Sequence, residues 1–317
     1  MQITNEMLSN GKGGDSIEGL ILVKDRSVQK TKSGGEYISG SLQSQKKMNY
    51  KIWSTSPAFE LFKNEEIVNE VCEIKGKFDD YNGIISINIS EAEIKRGEDI
   101  GPFIEGKYNG DALLISLQEF CKHNLSDKGN DLVKEIFFSD TLMMNRFKVE
   151  FAAMSHHDNC KSGLIAHTCK VLDLLKKTIS IYKNITADEN GVPDPDKKDL
   201  LYIGALMHDI GKIDEMKYGT YIEGSFVTHR IIGLEFILKH KDRFLIDYSP
   251  MWFKHLEAII MQHHDDYGEP CKTIYSYVIH QIDELESTMS LMNQLIPDAA
   301  DTPAGKTIKL HDYRLNF

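Results

Sequence analysis

The chain has 317 residues, of which 41% are hydrophobic and 27% charged, and its formal net charge is −11. This length allows two domains, and the composition is that of a globular protein and not of a disordered one. No apolar run approaches the roughly 20 residues that cross a bilayer, and the first 16 residues lack the apolar core of a secretory signal. We therefore expect a cytoplasmic protein outside the membrane.

The five cysteines also favour a reducing compartment. They are scattered, with no CxxC pair, at Cys72, Cys121, Cys160, Cys169 and Cys271. This pattern argues against a disulfide framework and against a zinc–thiolate site.

The negative net charge hides a basic segment. Residues 21–53 contain seven basic and two acidic side chains, a net charge of +5, so the remaining residues sum to −16. Because a phosphate backbone responds to the local field, a nucleic acid is compatible with this segment.

The first third of the chain predicts a β-domain. Residues 17–95 show short apolar stretches and alternation that predict five strands. The segment at 56–66, after the third strand, predicts a short helix. Five strands with such an insertion are typical of an OB-type Greek-key barrel. We expect this barrel at 17–98, after an N-terminal tail at 1–16.

After Gly101-Pro102 the pattern becomes helical, with apolar residues at spacings of three and four. We assign residues 99–150 to a helical connector and 151–297 to an all-α domain. Residues 298–317 are expected to form an irregular C-terminal tail. The predicted fold class is therefore α+β with two domains. The later helices are expected near 198–212, 228–240, 252–263 and 273–291.

His208-Asp209 is the strongest chemical signal. It lies in LYIGALMHDIGKI, among apolar residues, where a histidine and a carboxylate are costly unless something satisfies them. A divalent metal ion would do so. Further candidate ligands occur along the chain, enough for two ions if one carboxylate bridges them: His167, His208, Asp209, His229, His263, His264 and Asp283.

Imidazole and carboxylate ligands together favour Mn, Fe, Co, Ni or Zn over Mg or Ca. Two such ions lower the pKa of a water held between them and neutralise charge on phosphoryl oxygens. This is the chemistry of phosphate ester hydrolysis, with Asp209 as the candidate bridge. Each residue alone has an ordinary structural interpretation, since a single helical histidine such as His167 is more often packed or exposed than a ligand. The prediction rests on the order of the whole set.

Cations near these histidines are candidate phosphate contacts. Lys212 is either a solvated lysine at a helix C-terminus or a cation beside the scissile phosphate, and we favour the second. Arg230, next to His229, is of the same kind. His156 and His157 either begin the His167 helix or contact the substrate phosphate. The catalytic candidates are thus Asp209, Lys212 and His157.

The basic segment also contains aromatic residues. OB barrels bind single strands with a basic groove and aromatic stacking platforms. Lys51 and Trp53 share one face of their strand, which indicates an open face, although an aromatic side chain in a small barrel more often belongs to the core. The candidate nucleic-acid-binding residues are Lys30, Lys32, Tyr37, Lys51 and Trp53, with His156 and Arg230.

The order of these motifs is the signature of HD-domain phosphohydrolases. Over nearly its whole length the chain resembles the YhaM family of 3′→5′ exoribonucleases, which have an OB-fold domain followed by an HD domain. The HD motifs are specific for metal-dependent phosphohydrolases, whereas the OB part alone is a weak match. The resemblance is carried by KIWS, HHDNCKSGLIAHT, LYIGALMHDIGK, EGSFVTH, MQHHDDYGEP and IHQIDELESTM.

The resemblance implies how the ligands are shared between two ions, which in this family look like manganese. By analogy with two-metal HD enzymes, His167, His208, Asp209 and Asp283 would hold one ion, and Asp209, His229, His263 and His264 the other. The chain departs from the family at Thr228, where glycine is usual, and at 265–270, which is shorter and more acidic. RNA ends, DNA ends and small cyclic nucleotides therefore stay open as substrates.

We expect a metal-dependent 3′→5′ exonuclease that converts single-stranded RNA to nucleoside 5′-monophosphates. DNA is a further candidate substrate. One alternative is a phosphodiesterase or phosphohydrolase of small or cyclic nucleotides, which would have little use for the barrel. Another is a non-catalytic single-strand-binding protein, against which the intact ligand set argues. The apolar helices at 129–154 and the C-terminal tail are candidate surfaces for a homo-oligomer.

Overall fold

The computed structural model describes residues 1–317 except 32–33, 45, 65–66, 82, 105, 154–157, 223, 225, 266–267, 299, 303–304, 311–312 and 317. The chain divides into two compact units, residues 1–106 and 107–317. The predicted fold class, a five-stranded barrel followed by a helical domain, is confirmed. No helix in the described part of the chain is long and apolar enough to cross a membrane.

The first unit contains the strands β1 (Ser16–Lys30), β2 (Glu36–Ser44), β3 (Lys46–Trp53), β4 (Val71–Tyr81) and β5 (Ile84–Ile94). They close into a barrel in the order β1-β2-β3-β5-β4. Neighbours are antiparallel except β3 and β5, which are parallel. This topology is that of an OB-type barrel.

Two short helices contribute to the barrel core. Helix α2 (Phe59–Lys63) lies within the helix predicted at 56–66 and buries Phe62. Residues 1–16 were expected to form a tail, yet Asn5–Asn10 form helix α1. Its Leu8 belongs to the same hydrophobic cluster as the barrel strands.

The second unit is mainly helical, and four central helices pack against one another. Its helices are α3 (Gly110–Asn124), α4 (Asp127–Val133), α5 (Thr141–Phe147), α6 (Gly163–Ile181), α7 (Pro195–Met207), α8 (Lys212–Glu215), α9 (His229–Lys239), α10 (Lys241–Asp247), α11 (Pro250–Gln262) and α12 (Ile274–Leu295). The central four are α6, α7, α11 and α12. Short 3₁₀ or π-helical turns occur at Gly101–Phe103, Lys134–Phe138, Lys183–Thr186 and Ile296–Asp298.

The predicted helix at 198–212 is interrupted in the structure. Helix α7 ends at Met207, and α8 begins at Lys212. Between them the backbone makes tighter bonds, since the Lys212 N–H donates to the Asp209 carbonyl at 3.0 Å. His208 and Asp209 therefore lie in the tight turn that follows α7.

The second unit also contains β-structure that the sequence did not predict. A small hairpin pairs β6 (Met216–Lys217) with β7 (Thr220–Tyr221). The tail expected to be irregular forms a three-stranded antiparallel sheet, in which Ile308 and Leu310 are buried. Two alternating apolar residues are too few to predict a strand by themselves. The strands are β8 (Ala300–Thr302), β9 (Gly305–Leu310) and β10 (Tyr313–Asn316).

Candidate metal centre

The seven predicted metal ligands meet where five structural elements converge. Two come from the turn after α7 and two from the turn after α11, while α6, α12 and the first residue of α9 each provide one. In chain order they are His167, His208, Asp209, His229, His263, His264 and Asp283.

The first group of ligand atoms surrounds His167. Its Nε2 lies 3.1 Å from Asp283 Oδ1 and 3.3 Å from His208 Nε2. His208 Nε2 is also 3.4 Å from Asp209 Oδ2. The side chains of His167, His208 and Asp283 thus converge with Oδ2 of Asp209.

The second group surrounds the other oxygen of the same carboxylate. Asp209 Oδ1 lies 3.6 Å from Nε2 of both His229 and His263. His229 Nε2 is 3.0 Å from His264 Nε2. Asp209 therefore presents Oδ2 to one group and Oδ1 to the other.

The residues fit two divalent ions. Ligand atoms at about 2.0–2.2 Å from one ion lie roughly 3–4 Å from each other, which is the spacing within each group. Among the described residues, Asp209 Oδ1 and His263 Nε2 are buried without a hydrogen-bond partner. Leaving such atoms unpaired costs about 1–3 kcal/mol each, and coordination to a metal ion would remove that cost.

The outer nitrogens of four histidines are already occupied. A protonated Nδ1 that donates to an oxygen turns Nε2 towards the centre. The partners of Nδ1 are Glu286 Oε2 for His167 at 2.5 Å, Ala205 O for His208 at 2.8 Å, Glu215 Oε2 for His229 at 2.9 Å and Ile260 O for His263 at 2.9 Å. This arrangement prepares all four imidazoles for a metal ion.

Sequence reasoning missed the two carboxylates in that set. Glu286 follows Asp283 by three residues on α12, so it lies on the same face of the helix. That spacing was available as a signal. Glu215 ends α8 and offered no comparable pattern.

Lys212 holds Asp209 in its ionised form. Lys212 Nζ lies 2.7 Å from Asp209 Oδ2 and 2.7 Å from the carbonyl oxygen of Ala152. Burial opposes the charge on Asp209, but Lys212 and His208 keep the pKa of this carboxylate well below its usual range. The same contact raises the pKa of Lys212 in spite of its burial.

His263 and His264 of the second group differ from His167 of the first in the direction of their pKa shifts. Burial lowers the pKa of His263 to about 4 and that of His264 to about 2. Both are therefore neutral at pH 7, the form that binds metals. Burial also opposes a charge on His167, but its hydrogen bonds with Asp283 and Glu286 raise the pKa to about 10. An ion in the first group must therefore displace a proton from His167.

A network of hydrogen bonds and ion pairs extends from His167 away from the centre. Lys170 Nζ lies 2.6 Å from Asp158 Oδ2 and 3.2 Å from Glu286 Oε1. The hydroxyl of Tyr108 donates to Asp158 Oδ1 at 2.6 Å. This network fixes Glu286, and through Glu286 the orientation of the His167 ring.

Gly211 sets the distance between α9 and the turn that bears His208 and Asp209. A Cβ atom at this position would overlap the carbonyl oxygen of His229. Only glycine lets the turn approach the helix so closely, which brings His229 within reach of Asp209.

The other predicted residues of this unit have mixed outcomes. Arg230 packs its guanidinium against Gly268 and donates from Nη1 to the Met261 carbonyl at 3.1 Å, next to the turn that bears His263. His156 and His157 lie outside the described residues, so their predicted roles remain predictions.

The barrel presents an aromatic face, formed by Tyr37, Lys51, Trp53 and Tyr81. The rings of Tyr37 and Trp53 pair across β2 and β3 with centroids 5.4 Å apart, and Trp53 is 41% exposed. Lys51 Nζ lies 5.6 Å from the centre of the Tyr81 ring. Three of the four residues, all but Trp53, line a groove of about 460 Å³. Trp53 is therefore not a core residue.

Two of the predicted barrel cations are less informative. Lys30 is exposed at the end of β1, and Lys32 lies outside the described residues. Tyr81 was not singled out from the sequence, because its turn, Tyr81-Asn82-Gly83, gives no sign of the pairing between β4 and β5 that places it beside Lys51.

Comparison with known proteins adds the family of the helical unit. The family model of the HD domain matches residues 164–288. This part of the chain is an HD domain. All seven candidate ligands lie within the matched residues, and the HD domain indicates a metal-dependent phosphohydrolase.

A solved structure that the chain resembles is the asparaginyl-tRNA synthetase of Entamoeba histolytica, at 11% sequence identity and a TM-score of 0.20. The match covers 56% of this chain and 35% of the synthetase, so the chain spans about a third of that protein. At this TM-score the resemblance supports no inference about the barrel or the HD domain.

Proposed function

We propose that the protein is a metal-dependent 3′→5′ exonuclease that shortens single-stranded RNA and releases nucleoside 5′-monophosphates. The observation behind this proposal is the position of Asp209, whose two carboxylate oxygens face two separate groups of histidines. Such an arrangement suits two ions bridged by one carboxylate, and we propose manganese for both.

Two bound ions would lower the pKa of a water between them and neutralise the phosphoryl oxygens. The chain's own residues prepare the site for them. Lys212 keeps Asp209 ionised, while Glu286 and Glu215 orient the rings of His167 and His229. Since Lys212 contacts Asp209 and Ala152, we propose that its main role is to position the bridging carboxylate.

The aromatic face of the barrel favours a polymeric substrate over a small nucleotide. Exposed aromatic rings next to lysine are the usual means of binding single strands, and each stacked base contributes roughly 1–3 kcal/mol. Tyr37 and Trp53 offer a pair of rings, and Tyr81 offers a third ring beside Lys51. A phosphodiesterase of mononucleotides would gain nothing from them. We therefore propose single-stranded RNA as the substrate, with DNA as a second one.

The decisive assay uses 5′-labelled single-stranded RNA, and the matching DNA, with Mn²⁺ and purified full-length protein. We expect a ladder of strands shortened from the 3′ end, and no ladder with Asp209→Asn, which keeps the size of the side chain. Intact strands from a protein that has bound metal would contradict the proposal. Hydrolysis of cyclic or mononucleotides under the same conditions would then support the small-nucleotide phosphodiesterase.

A further inference from the structure

Glu150 is a buried carboxylate outside the set of candidate ligands. It is 4% exposed, and burial raises its pKa. A buried carboxylate is costly unless hydrogen bonds compensate it. Oε1 accepts from the N–H groups of Phe151 at 3.0 Å and Gly219 at 2.8 Å, and Oε2 accepts from the N–H of Tyr218 at 3.0 Å. Two of these donors are distant in the chain, so the carboxylate holds a remote turn.

That turn is the tip of the hairpin formed by β6 and β7. Tyr218 and Gly219 have φ angles of +50° and +73°, and two successive residues in this region are typical of a tight type I′ turn. The conformation is unfavourable for a tyrosine. A Cβ atom on Gly219 would lie 2.5 Å from Cδ2 of the Phe151 ring. The tip is therefore held closely against Glu150 and Phe151.

The hairpin begins directly after Glu215, the last residue of α8. The N–H of Ile222, which follows β7, donates to the Glu215 carbonyl at 3.0 Å, so the base of the hairpin closes on this residue. The Glu215 side chain contacts His229 Nδ1 at 2.9 Å. A displaced hairpin would therefore move the carboxylate that orients the His229 ring.

The backbone of Glu150 supports the other group of ligands. Its carbonyl accepts from the N–H of Leu164 at 3.0 Å, in the first turn of α6, the helix that bears His167. Two residues later, the Ala152 carbonyl accepts from Lys212 Nζ at 2.7 Å. The side chain and the backbone of Glu150 thus support different ligand groups. A substitution of the side chain keeps the backbone contact with α6.

We infer that Glu150 is a positioning residue for one of the two ions, because its carboxylate fixes the hairpin and thereby holds Glu215 against His229. The affected ion is the one in the second group of ligands. This inference rests on the two-ion centre of the proposed function, and it is independent of the substrate.

Glu150→Gln tests the inference with little change in side-chain size. An amide has one accepting oxygen, so it cannot hold both Tyr218 and Gly219, whose N–H groups contact different oxygens. In titration calorimetry with Mn²⁺ we expect one site weakened about tenfold, the lower end for loss of an outer partner, and one site unchanged. In the metal-free protein, hydrogen exchange at Tyr218 and Gly219 should become faster.

A double variant identifies the weakened site. Glu286 contacts His167 in the first group, so Glu286→Gln and Glu150→Gln should act on different ions. Combined in one protein, they should weaken both sites, each by its own factor.

Gly219→Ala disturbs the same hairpin tip without a change of charge. Its left-handed backbone and the Phe151 ring oppose a Cβ atom, so we expect the same site to be weakened. Gly191→Ala is the matched control, since Gly191 has a φ of +78° but nothing within 4 Å of an added Cβ atom. Backbone strain should lower its stability, while both Mn²⁺ sites stay unchanged.

Two unchanged sites in Glu150→Gln, or a loss confined to the free energy of unfolding, would overturn the inference. A double variant with one intact site would do the same, because both carboxylates would then act on one ion. A wild-type protein that binds a single ion would overturn the inference together with the two-ion centre. The exonuclease fails separately. Selective weakening in a protein that never shortens strands would leave the role of Glu150 and remove the exonuclease.

Discussion

Lys212 and Asp209 form a buried ion pair, with Lys212 Nζ 2.7 Å from Asp209 Oδ2. Their side chains are only 12% and 3% exposed. The pair fixes one carboxylate oxygen and leaves Oδ1 facing His229 and His263. The bridging geometry of Asp209 therefore depends on a lysine that lies three residues further along the chain.

Lys212→Met should destabilise the metal-free protein. The substitution keeps the length of the side chain but leaves a buried carboxylate without its cation, which typically costs about 3–5 kcal/mol. Mn²⁺ should offset part of this loss, because bound ions compensate the charge of Asp209. Chemical unfolding with chelator and with Mn²⁺ measures both effects.

The exposed Lys254 of α11 offers a matched control. Lys254→Met should leave the free energy of unfolding within about 0.5 kcal/mol of the wild type. Equal stability of Lys212→Met and wild type without metal would show that the ion pair does not hold Asp209.

Much of the candidate site could be predicted from the sequence. His167, His208 and Asp283 have a recognisable order, and the structure brings them together. The contacts of Glu215 and Glu286 could not be predicted, because spacing in the chain does not show which ring a carboxylate faces after folding. The same holds for Lys212, whose second contact, the Ala152 carbonyl, is sixty residues away in the chain.

Glu286→Gln should weaken one of the two metal sites. The amide can still accept a hydrogen bond from His167 Nδ1, but it lacks the charge that makes the imidazole a stronger ligand. Loss of such a partner typically lowers metal affinity about 10–100-fold. Titration calorimetry with Mn²⁺ should show one weakened site and one unchanged site.

Glu284→Gln serves as the control, since Glu284 is exposed on the same helix. It should bind Mn²⁺ like the wild type. If Glu286→Gln does so too, the carboxylate does not tune His167.

Binding of metal at pH 7 should release a proton from His167. Its pKa of about 10 means that the ring is protonated in the metal-free protein, while a metal ligand must be neutral. Affinity should therefore rise with pH, by up to about tenfold per unit, until pH 10. The stability of the metal-free protein depends on pH in the opposite direction. The stability contributed by the charged ring is complete below about pH 6.5 and is lost as the pH rises through 10.

Calorimetry in two buffers with different ionisation enthalpies counts the released protons. Glu286→Gln should reduce the number at pH 7, because the raised pKa depends partly on that carboxylate. Metal binding without proton release at pH 7 would contradict the assignment of His167 as a ligand.

Trp53→Ala should weaken binding of single-stranded RNA by roughly 1–3 kcal/mol without changing metal affinity. The ring is exposed and paired with Tyr37, so its loss removes a stacking surface and little of the core. Fluorescence anisotropy with labelled RNA measures the effect. Val28→Ala is the control, an exposed apolar residue of β1. Equal affinities for both variants would exclude Trp53 as a contact.

The fold was predictable to different degrees in the two units. Alternation in Tyr50-Lys51-Ile52-Trp53 separates a buried face from an open one, and the structure agrees, with Ile52 fully buried and Trp53 exposed. The same pattern could not decide whether Trp53 belongs to the core, since a barrel has an inside and an outside only after closure. The break at His208 was missed because apolar residues continue through it.

The most direct test of the account is to locate manganese ions by anomalous diffraction from crystals of the protein grown with Mn²⁺. We predict two peaks about 3.5–4 Å apart, one on each side of the Asp209 carboxylate. The first would be bound by His167, His208 and Asp283, and the second by His229, His263 and His264. A single ion, or two ions that do not share Asp209, would contradict the bridged two-metal centre.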